Sequence, residues 1–166
     1  MKFERIGASH PLFEASFTLY EASFPANERR TREDHLRAMQ DAEFFPLGAV
    51  EDGTLMADVF LWETENFVYL EHFAVRPDLR GHGTGSAIVR KLLETDKPFI
   101  LEIEPPENEL TCRRKRFYER NGLCAQPYDH VQLPFQGGGP IVPLVIMASR
   151  DLTAPQCRAF QQYLLD

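Results

Sequence analysis

Apolar residues recur along this chain at two spacings, and the changes between them mark its elements. Lys2 to Ile6 reads as a first strand. From about Pro11 to Ser23, Leu12, Ala15, Leu19 and Ala22 repeat at helical spacing, and Phe24-Pro25 ends the run. Thr31 can cap a second helix, with Asp34 three residues on as an approximate capping box and Leu36 and Met39 facing inward. Phe45 to Glu51 and Leu55 to Glu63 read as a hairpin about Asp52-Gly53. After a turn at Asn66, Phe67 to Val75 continues the meander. A Gly-rich turn then opens a helix from about Gly83 to Glu94, striped by Ile88, Val89, Leu92 and Leu93. Phe99 to Ile103 is a short strand stopped by Pro105-Pro106. Asn108 or Thr111 starts a helix that Asn121-Gly122 terminates. Cys124 to Leu133 and Ile141 to Ala148 read as the last strands, with Gly137-Gly138-Gly139-Pro140 as the loop between them. Thr153 caps a final helix ending at Leu165. Antiparallel strands first and a β-α-β-α unit afterwards predict a mixed α/β (α+β) sheet rather than a regular doubly wound one.

Composition narrows the function classes. The 166 residues suit one domain, 1–166, with a core large enough to need no staples. Eighteen Lys and Arg against 25 Asp and Glu give a formal charge of −7, which argues against a nucleic-acid binder working by phosphate neutralisation. No apolar run approaches the roughly 18 residues of a membrane span, and the first ten residues lack a signal-peptide core. Three cysteines without a CxxC fit neither a disulfide framework nor a zinc site, so no metal and a cytoplasmic location are expected.

The chemistry concentrates between Tyr69 and Ser86. Strand, turn and helix start follow one another there, and Gly81, Gly83 and Gly85 keep side chains out of the turn. Backbone N–H groups can then converge on an anion beside a helix N-terminus, which predicts a phosphate or pyrophosphate ligand. The G-x-G-x-G spacing fits neither the dinucleotide fingerprint G-x-G-x-x-G nor a P-loop, which needs Lys before its Ser or Thr. Ser86 also lacks the G-x-S-x-G frame of a hydrolase nucleophile.

The run Ala74-Val75-x-Pro77-x-x-Arg80-Gly81-x-Gly83-x-Gly85 resembles the acetyl-CoA-binding signature of the GNAT superfamily of N-acetyltransferases. Phe117-Tyr118-Glu119-Arg120-Asn121-Gly122-Leu123 is similar to that family's second signature. The family resemblance implies a central, mostly antiparallel sheet in which the strands holding Phe73 and Leu101 splay apart. It implies the acetyl-CoA pyrophosphate on the backbone of Arg80, Gly81, His82, Gly83, Thr84, Gly85 and Ser86, and the pantetheine arm along Phe73, Ala74 and Val75. One departure is Thr111, seven residues before the tyrosine, where many members carry an Asn that helps hold the cofactor arm.

By the same resemblance Tyr118 is the general acid; a phenol with pKa near 10 is protonated at neutral pH and can reprotonate a departing thiolate. Glu71 lies two residues before Phe73, so simple alternation puts both on one strand face, where Glu71 can act as base or anchor an ammonium group. Alternation points His72 away, and either Glu102 or Glu104 can add negative charge to the acceptor site. Arg113 to Arg116 read as a solvated helix face. The expectation is acetyl transfer to a small-molecule amine by direct attack, in a monomer or homodimer. Alternatives are a peptide or protein N-acetyltransferase and a non-catalytic acyl-CoA-binding module.

Overall fold

The structure, a computed structural model, describes residues 1–135 and 141–166. The predicted loop at Gly137-Gly138-Gly139-Pro140 lies outside the described residues. Nine strands and five α-helices run in the order β1 (Lys2–Arg5), α1 (Phe13–Ser23), α2 (Arg32–Ala38), β2 (Phe44–Glu51), β3 (Thr54–Glu63), β4 (Val68–Val75), α3 (Thr84–Leu92), β5 (Phe99–Ile103), α4 (Glu109–Arg120), β6 (Cys124–Ala125), β7 (Val131–Gln132), β8 (Val142–Pro143), β9 (Val145–Ala148) and α5 (Ala154–Leu165), counted among the described residues. No helix among them is long and apolar enough to cross a membrane.

Seven strands form one sheet in the order β1-β2-β3-β4-β5-β9-β6. Every neighbouring pair is antiparallel except β4 and β5. The β2–β3 hairpin turns at Asp52 and Gly53, both with positive φ (51° and 73°), as a two-residue turn matched to strand twist requires.

The parallel pair positions the site. β4 and β5 are in register only from Val68 to Leu70 against Phe99 to Leu101. Beyond that, among the described residues, 71–75 has no strand partner on its β5 side, and Glu102 and Ile103 pair only with β9. The sheet therefore opens from one end, leaving backbone donors and acceptors along the gap that a buried sheet would otherwise satisfy.

On one face, α3 and α4 cover the sheet. Ile88, Val89 and Leu92, with Phe117 and Tyr118, pack on Leu70, Leu101 and Met147. On the other, α1 packs Phe13, Phe17 and Tyr20 against Phe44 and Phe60, while α5 packs Cys157 and Phe160 against Tyr69 and Ile146. The stripe predicted for α1 is only partly the buried one. Ala15 and Ala22 face solvent, and Phe13, Ser16, Phe17 and Tyr20 turn inward. The aromatic rings remove far more apolar surface from water than alanine can, and Ser16 is accommodated because its hydroxyl donates to buried Asp58 at 2.7 Å.

The two predicted late strands are broken into short pieces. Pro127 has no N–H for a ladder, and the Gln126 amide bonds the carbonyls of Cys124 (3.0 Å) and Arg150 (3.3 Å). β7 and β8 instead form a separate two-stranded sheet beside α5. At the start of α4, Asn108 and Thr111 form a reciprocal cap, with the Thr111 hydroxyl accepting from the N–H groups of Glu107 (2.9 Å) and Asn108 (3.0 Å). Thr111 is buried in that role.

Candidate active site

The glycine turn follows β4 directly. Its entry is set by Arg80, whose Nε donates to the Val75 carbonyl at 3.0 Å. Gly81 and Gly83 both take positive φ (82° and 79°), a conformation strained for any residue with a side chain, so glycine is required at each. His82 between them is exposed. The first i→i−4 bond of α3 runs from Ala87 N–H to the Gly83 carbonyl at 3.0 Å, so the amides of Thr84, Gly85 and Ser86 precede the helical ladder. A Cβ on Gly85 would sit 3.4 Å from Phe117 Cζ and 3.7 Å from Val75 Cγ2, so this glycine lets α3, α4 and β4 meet closely. Asn121 ties the same corner, its Nδ2 donating to Ser86 Oγ (3.2 Å) and to the Phe117 carbonyl (2.8 Å). A cradle of positive-φ glycines and free helix-start amides fits the phosphate groups of a nucleotide cofactor.

Phe73 and Val75 point toward α3 and α4, and Ala74 points to the opposite face. Their backbone runs along the open side of β4. Tyr118 packs into the same α3–α4 layer, its ring edge-on to Phe117 at 5.1 Å. Among the described residues its hydroxyl has no hydrogen-bond partner. Burial pushes its pKa up to about 12, with Arg114 partly offsetting that, so it carries its proton throughout the neutral range.

Glu71 does not share a face with Phe73. Phe60 pairs with His72 and Leu61 with Leu70, which makes Glu71 the extra residue of a β-bulge. The bulge turns Glu71 toward the loop before α2, on the face where His72 also lies among Tyr20, Phe24 and Phe60. Arg30 grips Glu71 with both nitrogens, Nη1 to Oε1 at 2.5 Å and Nη2 to Oε2 at 3.0 Å, and Trp62 Nε1 donates to Oε1 at 3.2 Å. Burial alone would raise the Glu71 pKa; Arg30 and His72 outweigh it and hold the carboxyl well below the usual carboxylate range.

A second carboxylate stands across the gap. Glu102 is the first residue of β5 beyond the paired stretch. Its Oε1 accepts from the Tyr69 hydroxyl, and its Oε2 lies 2.5 Å from His130 Nε2. Gln161 Nε2 donates to His130 Nδ1 at 3.2 Å and to the Asp129 carbonyl at 2.9 Å, so the His130 proton is on Nε2, facing Glu102. Glu104 points elsewhere, to an exposed pair with Arg114 at 2.8 Å. Arg113 likewise pairs with Glu109 on the outer face of α4.

Arg30, Tyr69, Glu71, Glu102 and His130 floor a cavity of ≈ 610 Å³ whose walls come from Val131 to Phe135 and from the end of α5. The glycine cradle and Tyr118 belong to the α3–α4 side, and this cavity opens on the other face. Arg30, Tyr69 and His130 went unmarked in the sequence: Arg30 sits in a loop 41 residues from its partner, and His130 in a break between short strands, with no local pattern to join them.

The chain and its fold match known proteins. The Acetyltransferase (GNAT) family model matches residues 12–123. Over 60 residues, 35% of this chain and 31% of the relative's length, the chain is 37% identical to the curated "Putative acetyltransferase YjbC" of Bacillus subtilis (strain 168). A solved structure, a "Putative acetyltransferase from GNAT family" from Bacteroides thetaiotaomicron, is 30% identical, covers 99% of this chain and 96% of its own, and superposes with a TM-score of 0.90. At 14% identity, an aminoglycoside 6'-N-acetyltransferase complexed with coenzyme A shares the fold with a TM-score of 0.58, covering 89% of this chain and 96% of its own. With the family model spanning residues 12–123 and a 30% identical structure covering nearly the whole chain, this protein belongs to the acetyltransferase (GNAT) family.

Proposed function

We propose that the chain transfers an acetyl group from acetyl-CoA to the amine of a small molecule. The observation that carries this reading is the one-sided opening between β4 and β5, with the glycine cradle and Tyr118 on one face and a carboxylate-floored cavity on the other. When bound, acetyl-CoA supplies an activated acyl thioester. The amides from Gly81 to Ser86 would hold its pyrophosphate, the Arg80 N–H being given to the Pro77 carbonyl at 3.4 Å, and the open backbone of Phe73, Ala74 and Val75 would hold its pantetheine arm. An N–H on that free edge is placed to stabilise a developing oxyanion.

Tyr118 is the general acid, since its hydroxyl keeps its proton at neutral pH and no neighbour among the described residues competes for it. The acceptor amine must lose a proton before it attacks. Glu71, neutralised by the Arg30 fork, is a weak base; its part is to fix Arg30 and shape the cavity floor. Glu102 keeps acceptor capacity beyond its bonds to Tyr69 and His130, because a carboxylate offers about four lone-pair sites. It attracts the ammonium group and receives its proton, directly or through water.

The fold leaves the acceptor open. Among structural neighbours are proteins named as a ribosomal-protein-S18-alanine and as an aminoglycoside acetyltransferase, both under 20% identical. A cavity of ≈ 610 Å³ suits a small-molecule acceptor. Release of the coenzyme A thiol, followed across amines, amino acids and peptides, tests the reading. Absence of thiol release with every acceptor, together with no stabilisation by acetyl-CoA, would leave a fold without this activity.

A further inference from the structure

We infer that the acceptor is a cationic amine with an apolar body, an alkyl or arylalkyl amine, its ammonium group on Glu102 and its body against the β7 strand and the end of α5. The inference rests on the acetyltransferase reading above and narrows its substrate class.

The floor of the cavity sets the charge of the head group. Arg30 and Glu71 cancel each other through a two-point fork. His130 meets the Gln161 amide on Nδ1 and Glu102 on Nε2, so neither ring nitrogen is left over for a ligand. The Tyr69 hydroxyl keeps its proton, its pKa driven well above the ordinary value by burial and then by Glu102. What remains is negative: Glu102 on the floor and Asp129 at the edge. A cation is favoured there. An acceptor carrying a carboxylate beside its amine would find the only lining guanidinium among the described residues already matched and would face two like charges.

The walls set the body. Val131, Leu133, Pro134, Phe135, Leu164 and Leu165 line the cavity above that floor. Val131, Leu133 and Leu165 are 49%, 45% and 62% exposed, so an apolar ligand has surface left to cover. A polyamine needs acidic groups spaced along the wall, and beyond Asp129 the wall supplies six apolar side chains with Gln132 and Gln161, none of them acidic. A cavity of ≈ 610 Å³ lies within the range of small-molecule sites.

Two readouts separate this inference from the reading beneath it. The first is coenzyme A thiol release with ethanolamine, butylamine, hexylamine, 2-phenylethylamine, spermidine, leucine and a short peptide. kcat/KM should rise roughly three- to fourfold per added methylene until the wall is filled. Leu133→Gln and Leu165→Gln, both at exposed positions, should flatten that rise while thermal stabilisation by acetyl-CoA is retained. The second is amine binding without acetyl-CoA, followed by the fluorescence of Trp62, the sole tryptophan, whose indole is bonded to Glu71. Affinity ordered by chain length supports the inference even if no turnover follows, and that result would count against the acetyltransferase reading alone. Turnover or binding flat across the alkyl series, or best with spermidine, leucine or the peptide, overturns it.

Discussion

Arg30 holds Glu71 by both carboxylate oxygens, at 2.5 and 3.0 Å, and the same guanidinium lies 5.1–5.7 Å from the ring centres of Phe44, Trp62 and Phe135. Both partners are largely buried, so losing either strands the other's charge. Arg30→Met or Glu71→Gln alone should cost about 3–5 kcal/mol of folding stability. The double variant should cost less than the sum, with a coupling of about 1 kcal/mol or more. Urea denaturation of the four proteins measures both quantities. Additive losses would mean that the fork contributes nothing of its own.

The two carboxylates should separate in steady-state kinetics. The Glu71 carboxyl is depressed, so its stabilising effect is present above the ordinary carboxylate range and lost only as pH falls below it. It does not titrate where the enzyme works. Glu71→Gln should therefore keep the acidic limb of the kcat/KM profile. Glu102→Gln should lower kcat/KM roughly 10²-fold, the scale expected for a positioned base, and Glu71→Gln far less. The opposite pattern would return the base to Glu71.

Asp58 provides a pH effect remote from the site. It is fully buried in β3, accepts from Ser16 at 2.7 Å, and leaves its second oxygen without a partner. Burial lifts its pKa to about 8, against the bond from Ser16. A group that holds its proton more tightly when folded stabilises fully below its unfolded pKa, near 4, and that contribution is lost as pH rises through about 8. Melting temperature should fall between pH 5 and 8 in the wild type, and Asp58→Asn should flatten the slope. An identical slope in both proteins would show that Asp58 ionises without cost.

Gly83 has open space around a would-be Cβ but a φ of +79°, so its substitution acts through the backbone. Gly83→Val should distort the cradle, abolish the rise in melting temperature given by acetyl-CoA, and leave the chain folded. Wild-type protein should be stabilised by acetyl-CoA far more than by NAD or ATP, since a ligand of the native state stabilises by mass action. Equal shifts in the variant and wild type would exclude the turn as the phosphate site.

The elements that frame the cradle were legible because their signals are local. Asp52-Gly53, the alternating glycines, and Asn121-Gly122 each specify a backbone conformation within a few residues. Phe99–Ile103 and the Thr153 cap likewise needed no distant information. What could not be read is non-local. A bulge inserts one residue and reverses the facing of Glu71 relative to Phe73, and nothing in Tyr69 to Phe73 announces it. The cavity joins Arg30, Glu71, Glu102 and His130 from four separate segments. The late strands failed for a related reason: their apolar content fits a strand, but Pro127 follows β6 without an N–H, and the second stretch is divided between β8, which pairs with β7, and β9, which pairs with β5 and β6.

The most direct test is the joint detection of acetylated amine by mass spectrometry and of free coenzyme A thiol, with wild-type protein and with Tyr118→Phe. That substitution removes a hydroxyl with no partner among the described residues and leaves the ring packed, so melting temperature should hold. Wild-type protein should form product and thiol in equal amounts, and Tyr118→Phe should lower turnover roughly 10²-fold or more while acetyl-CoA still stabilises it. Equal turnover by the two proteins would contradict the acid role of Tyr118, and no acetylated product from the wild type with any amine would contradict the account as a whole.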